Sequence, residues 1–271
     1  MRHHVVDTFA DERFAGNPAA VVPAPAFPGD AEMQDVARRI GLPTTAFVVP
    51  AGPGEYGIRW FTPHAEITLC GHATIASARY LFGAGDARRT TLRFVSPRGV
   101  LLTERAGDLV SIDLPAARLT PVAPPPGLLE ALGVGALGTG ALSCTTSDDD
   151  VLVELADAAA VAAVRPDFAA LAAQPFRGHV VTAPGPTGVD FASRTFFPSL
   201  GVDEDQVCVS AHCGLAPFWA RRLGRRALSA LQLSGGGGRL AVEDRGDRVR
   251  VFGSAVVRGG VREPVAEELA G

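Results

Sequence analysis

The sequence contains no lysine. All 25 basic residues are arginine, which excludes a Schiff base to pyridoxal phosphate or to a carbonyl substrate and removes a P-loop lysine. Asparagine occurs once, as Asn17, and Met, Trp and Tyr twice each. No apolar run approaches the roughly 18 residues of a membrane span. The opening M-R-H-H-V-V-D-T-F carries an acid at Asp7 and no apolar core, so no signal peptide is expected and the chain is placed in the cytoplasm. The 25 bases against 29 acids leave a net charge of −4, which speaks against a nucleic-acid partner. Cysteine is scarce, and in a cytoplasmic chain Cys70, Cys144, Cys208 and Cys213 read as free thiols rather than a disulfide frame. His3, His4, His64 and His179 have no companions at metal-ligand spacing, so no metal is expected. There is no G-x-S-x-G elbow and no dinucleotide fingerprint. The four glycines 235–238 precede a strand pattern rather than a helix, which argues against a phosphate loop. Asp148, Asp149 and Asp150 read as a solvated turn.

What remains is a chain of 271 residues, 47% apolar and 20% charged, a globular composition with room for one large domain or two smaller ones. Alternation predicts strands near 5–9, 19–22, 45–49, 57–61, 92–95, 100–103 and 109–114, and helices over 31–40 and 71–82. Five prolines between 115 and 126 mark a stiff, helix-averse segment. Beyond it, strands are expected near 151–155, 179–182, 190–196, 240–242, 249–252 and 255–257. Helices are expected over 158–164, continuing later to 173, and over 210–223. The expected domains are residues 1–115 completed by a last strand from 255–271, a linker 116–127, and residues 128–254.

Two stretches resemble each other. E-I-T-L-C-G-H-A-T at 66–74 and E-D-Q-V-C-V-S-A-H at 204–212 each place a Cys three residues after the second position and just ahead of a small-residue helix. This reads as an internal duplication. Both helices are apolar on most sides, and such a helix belongs inside something; with strands in the majority, the container is a curved sheet. A Cys ahead of a buried helix sits at the positive end of the helix dipole, where free N–H groups favour the thiolate and can cradle a carboxylate. Two such ends suit removal and return of a proton beside a carboxylate, one thiolate as base and one thiol as acid. Against this stands the packing role common to buried Cys, which is the reading for Cys144 and Cys213. His72 falls in the first turn after Cys70, and His212 has a comparable place in the second half.

The sequence resembles the PhzF-like (phenazine biosynthesis) isomerase family, similar in fold to diaminopimelate epimerase. The resemblance rests on F-A-G-N-P-A-A-V at 14–21, R-W-F-T-P at 59–63, L-C-G-H-A-T at 69–74, D-F-A-S-R-T-F-F-P at 190–198 and S-A-H-C-G-L-A-P-F-W-A at 210–220. It implies an α+β protein of two pseudo-symmetric domains, each a β-barrel-like sheet around a central helix, with the site in the cleft between them. It also implies an enzyme without a cofactor, commonly a homodimer. The substrate expected is a small carboxylate-bearing, amino-acid-derived metabolite, and no membrane or nucleic-acid partner is expected.

Two departures matter. The family's S-E-T-x-F reads P-T-T-A-F at 43–47, so Thr44 stands where the family carries its acid/base Glu. E-D-P-V-T-G-S-A-H reads E-D-Q-V-C-V-S-A-H, so Cys208 replaces a Thr. Diaminopimelate epimerases and proline racemases, with a Cys ahead of each helix, are the nearer guide there. The expected catalytic residues are therefore Cys70 and Cys208, with Asp205 and His72; Asn17, Thr44, Gly71, Ala73, Ser210 and Ala211 are the expected substrate-binding set. The reaction is an epimerisation or a double-bond shift, the latter as in alkylproline-type antibiotic biosynthesis. The alternatives are an isomerase working through Asp205 and His72, a non-catalytic metabolite binder, and a thiol redox switch.

Overall fold

The computed structural model describes residues 1–84, 88–135, 140–147 and 149–258. They group into two units. The first holds residues 1–8, 17–113 and those from Phe252 onward; the second holds Phe9–Gly16 and Leu114–Val251.

In the first unit, β1 (His4–Thr8) pairs antiparallel with β2 (Asn17–Pro23). Helix α1 (Asp30–Ile40) crosses to β3 (Thr44–Gly52), which runs parallel to β2 with Ala19 opposite Thr44. A hairpin returns as β4 (Glu55–Phe61), and the short β5 (Glu66–Ile67) pairs Ile67 with Trp60. Helix α2 (Gly71–Ala84) then crosses to β6 (Thr91–Ser96), parallel to β4, and β7 (Gly99–Ala106) and β8 (Leu109–Pro115) follow as a meander.

The second unit repeats this order. Strands β9 (Thr120–Val122) and β10 (Ser143–Thr146) lead into β11 (Asp150–Glu154); α3 (Leu128–Ala131) lies between β9 and β10. After α4 (Ala158–Ala163) and α5 (Phe168–Ala172), β12 (Gly178–Pro184) runs parallel to β11. Its hairpin partner is β13 (Phe191–Phe197), against which β14 (Val202–Asp205) pairs Asp205 with Thr195. Helix α6 (His212–Leu223) crosses to β15 (Ala227–Gln232), parallel to β13, and β16 (Gly238–Asp244) closes the hairpin. β17 (Arg248–Val257) ends the described chain and pairs Val6 with Val257. Parallel crossover, hairpin, short strand, helix, parallel strand and hairpin recur in the same sequence. The duplication read from nine residues is thus present in the pairing of every strand from β2 to β7 and from β11 to β16.

The two crossover helices α2 and α6 are the buried ones. Ten of the fourteen α2 residues are buried, among them Thr74 and Ser77. Their hydroxyls are satisfied inside the helix, Thr74 Oγ1 donating to Cys70 O at 2.7 Å and Ser77 Oγ to Ala73 O at 2.7 Å, which makes polar residues tolerable there. Helix α6 contains Pro217, whose missing N–H would leave Cys213 O without its helical donor. Ala117 N–H fills that place at 3.0 Å. The chain leaves α6 at Gly224, φ 66°, a left-handed position suited to glycine. Among the described residues no helix is long and apolar enough to cross a membrane.

Several boundaries differ from the sequence reading. Residues 116–127 are no free linker: Thr120–Val122 is a strand, and Ala116 and Ala117 donate to Asp247 O and Cys213 O. Phe9–Gly16 belongs with the second unit, because Ala15 and Gly16 donate to Gly236 O and Gly237 O and Phe9 O accepts from Arg239. The helix expected to run on to 173 breaks before Pro166 and restarts with its own cap, Asp167 Oδ1 accepting from Ala170 N. The pieces 249–252 and 255–257 are one strand. Beyond residue 258 the expected closing strand lies outside the described residues.

Candidate active site

Each buried helix is preceded by a cysteine, and in the shared topology the two positions are the same. Cys70 follows β5 and Cys208 follows β14, and Ile67 on Trp60 corresponds to Asp205 on Thr195.

In the first unit, Cys70 is buried and its Sγ lies 3.4 Å from His72 Nδ1 and 3.6 Å from Thr44 Oγ1. Asn17 Nδ2 lies 3.3 Å from the same His72 Nδ1. An amide nitrogen only donates, so Nδ1 accepts and the imidazole proton sits on Nε2. Burial pushes His72 down to about 4, so the ring is neutral at physiological pH. The first helical N–H with a backbone acceptor is that of Thr74, bonded to Cys70 O at 3.1 Å. The N–H groups of Gly71, His72 and Ala73 precede it and have no backbone acceptor among the described residues, as is usual for a helix start. Cys70, His72, Asn17, Thr44, Gly71 and Ala73 are therefore brought together, and Thr44 rests against the sulfur.

In the second unit, Cys208 is buried, with Sγ 3.3 Å from Ser210 Oγ. Burial and the Asp205 carboxylate push its thiol well above the ordinary range; the Ser210 hydroxyl and the Ala211 N–H pull it down by less. The expectation of a helix-end thiolate is thus corrected here: desolvation outweighs the dipole, and Cys208 rests as the thiol. The amides at this helix start are also occupied, His212 N donating to Val209 O and Cys213 N to Ser210 O, both at 3.1 Å. His212 Nδ1 bonds Cys208 O at 2.7 Å, and burial lowers this ring to about 4. His212 is consequently not the counterpart of His72. Ser210 is, two residues after the cysteine and in contact with its sulfur, while His212 matches Thr74 in bonding the cysteine carbonyl.

Cys144 lies in the apolar core of the second unit, and burial pushes Cys213 up to about 12, both in keeping with packing roles. Sequence reasoning missed three supports. Asp150 is a buried strand residue, not a solvated turn, and holds Arg177 through bonds of 2.9 and 2.6 Å; Asp148 lies outside the described residues. Arg194, also buried, clamps Glu204 at 2.7 and 2.9 Å beside Asp205. The glycines 235–238 allow close packing: a Cβ on Gly238 would lie 2.5 Å from Val207 Cγ2, and one on Gly237 2.6 Å from Phe14 Cδ1. A run of small residues beside the F-A-G-N motif was the available signal.

Residues 6–259 match the family described as "Phenazine biosynthesis-like protein" (PhzC-PhzF). The chain is 46% identical over 252 residues to "Uncharacterized isomerase PA2770" of Pseudomonas aeruginosa, covering 93% of this chain and 94% of that one. A crystal structure of a phenazine biosynthesis protein of the PhzF family from Enterococcus faecalis superposes with a TM-score of 0.89 at 40% identity, over 97% of this chain and 100% of that one. A probable proline racemase from Agrobacterium radiobacter shares the fold, with a TM-score of 0.63 at 12% identity over 98% and 93% of the two chains. The chain belongs to the phenazine biosynthesis-like family and is an isomerase of the epimerase fold.

Proposed function

We propose that the chain moves a proton on a small, amino-acid-derived carboxylate without a cofactor, using one thiol from each unit on one substrate. The observation that carries this reading is the equivalence of Cys70 and Cys208, each placed between a short strand and a buried crossover helix, with Thr44 against Cys70 where the family has its Glu. Cys208, held as the thiol by burial and by Asp205, is the proton donor. Cys70, once deprotonated, is the base that takes the proton from the carbon next to the carboxylate. The electron pair left behind delocalises into the carboxylate, and the open N–H groups of Gly71, His72 and Ala73 stabilise that charge. Cys208 then protonates the carbon on the opposite face, giving inversion, or a conjugated carbon, giving a double-bond shift; cyclic alkylproline-type acids fall within this class. His72, neutral and accepting from Asn17, orients the Cys70 sulfur.

The test is proton exchange in D₂O, followed by NMR over a panel of free amino acids and cyclic imino acids. Deuterium is expected to enter the α or a conjugated position with the parent chain, and to be lost in both Cys70→Ala and Cys208→Ala. Exchange that survives Cys208→Ala but is abolished by Asp205→Asn would transfer the chemistry to Asp205 and His72. Binding without exchange would make the chain a metabolite binder.

A further inference from the structure

Gln232 is the last residue of β15, and its side chain is fully buried. Its Oε1 accepts from Cys208 N–H at 2.8 Å. Its Nε2 donates to Asp205 O at 2.5 Å and to Thr195 Oγ1 at 3.0 Å. Ser234 Oγ, 3.2 Å from Nε2, adds a second bond to Asp205 O at 3.0 Å. The orientation of this amide is fixed by its partners, since a backbone N–H can only donate and a carbonyl only accept. The amide thus supplies an acceptor and a donor from one planar group. On the far side of the same loop, Gln206 Oε1 takes the N–H of Gly236.

The first unit shows that the fold does not itself demand this clamp. In the second unit Gln232 pairs with Ser193 of β13; in the first the β4–β6 register ends with Gly57 opposite Val95, and Ser96, the next residue of β6, stands at the place equivalent to Gln232. Ser96 instead lies near the surface and bonds Gly99 O within its own hairpin. There the residue equivalent to Asp205 is Ile67, and the first unit has no carboxylate to hold at that place. The buried amide therefore accompanies the carboxylate and not the topology.

We propose that Gln232 is a positioning residue for the proton-donating loop, fixing Cys208 and Asp205 relative to one another through their backbones. The proposal rests on the reading of Cys208 as proton donor, but its test does not pass through activity. Gln232→Glu keeps an acceptor for Cys208 N–H and sets an oxygen against Asp205 O; Gln232→Met removes both bonds. Cys208 is followed by iodoacetamide alkylation against pH and by hydrogen exchange of its amide, with Cys70 and Cys144 as internal controls. In Gln232→Met the Cys208 amide is expected to exchange about tenfold faster, the loss of one buried hydrogen bond. In Gln232→Glu the alkylation midpoint of Cys208 is expected to rise while that of Cys70 stays in place. A generally loosened protein would move the controls as well.

Cys208 exchange and alkylation at parent values in both variants would overturn the clamp. Should both variants fail to fold, Ser234→Ala decides: it removes one bond to Asp205 O and is expected to displace the Cys208 profile less, and no displacement would overturn the proposal. Full exchange activity in Cys208→Ala would instead sink the proton-donor reading, and would leave the clamp standing if the Gln232 variants still move the Cys208 profile.

Discussion

The start of α2 and the start of α6 are the same place in two copies of one topology, and they are chemically opposite. Two residues after the cysteine, the first has His72 against the sulfur and the second has Ser210, at 3.4 and 3.3 Å. Four residues after it, Thr74 and His212 each bond the cysteine carbonyl at 2.7 Å. Three residues before it stand Ile67 and Asp205. The α2 end keeps its first N–H groups open, whereas the α6 end ties its amides into tight turns and holds a carboxylate near its thiol. A duplicated backbone has thus kept its contacts with the cysteine and exchanged which side chain makes them. In the mechanism proposed above, this difference gives the anion to the first helix and the proton to the second.

The largest effect expected from breaking this division is on chemistry. Cys208→Ser replaces the proposed donor thiol by a much weaker acid in the same place and is expected to slow proton exchange by about 10²- to 10⁴-fold. Cys70→Ser should cost a similar factor. A small loss in one and a large loss in the other, measured as deuterium incorporation, would mean that only one face of the substrate is served by a thiol.

Acid comes next. His72 and His212 are both buried and both lowered to about 4, whereas in an unfolded chain each takes its proton near pH 6.5. Between those values the unfolded chain binds more protons than the folded one, so stability is full above about pH 6.5 and falls as the pH drops toward 4. Each ring accounts for up to about 3 kcal/mol of that fall. Urea unfolding at pH 7, 5.5 and 4.5 measures the slope, and His72→Gln and His212→Gln should each flatten it. Flattening by only one would show that the two rings are not alike in burial.

Asp205→Asn is a smaller change that sharpens the contrast. Removing the carboxylate takes away one of the forces raising Cys208 and leaves burial, the largest, in place. The alkylation midpoint of Cys208 is expected to move down, with Cys70 unmoved. A midpoint that stays in place or rises would mean that the Asp205 carboxylate is not what helps to hold Cys208 as the thiol.

Much of this site was legible in sequence, and the reasons are local. The cysteines, the small-residue helices and the F-A-G-N and S-A-H motifs are contiguous, so spacing singled out Cys70, Cys208 and His72 as candidates, and the family resemblance added Asp205. What spacing could not show was which residue of the second copy inherits which contact. His212 was matched to His72 by residue type, and only the register from Cys208 shows that Ser210 is the true counterpart. Desolvation was equally hidden: a helix dipole can be read from a sequence, but the burial that overrides it at Cys208 depends on neighbours far along the chain. Gln232 lies 24 residues beyond Cys208 in an ordinary strand, and nothing in its neighbourhood of sequence points back to the loop it holds. The segment 116–127 was misplaced for a related reason, since proline marks stiffness but not the partner that a stiff strand will find.

The finest test of the shared plan lies at the cysteine carbonyls. Thr74→Val removes the hydroxyl bond to Cys70 O but leaves the Thr74 N–H on the same oxygen at 3.1 Å, and valine fills the same volume. The loss should be about 0.5–1.5 kcal/mol, that of one hydrogen bond with no orphaned acceptor. His212→Leu removes the bond at 2.7 Å to Cys208 O, whose helical N–H donors are directed elsewhere: His212 N to Val209 O and Cys213 N to Ser210 O. That loss should be larger, because a buried carbonyl gives up its side-chain partner with no backbone N–H beside it. Urea unfolding of the two variants compares them directly. Equal losses would mean that the carbonyl of Cys208 finds a second donor as readily as that of Cys70 does, and that the two helix starts differ at the sulfur alone.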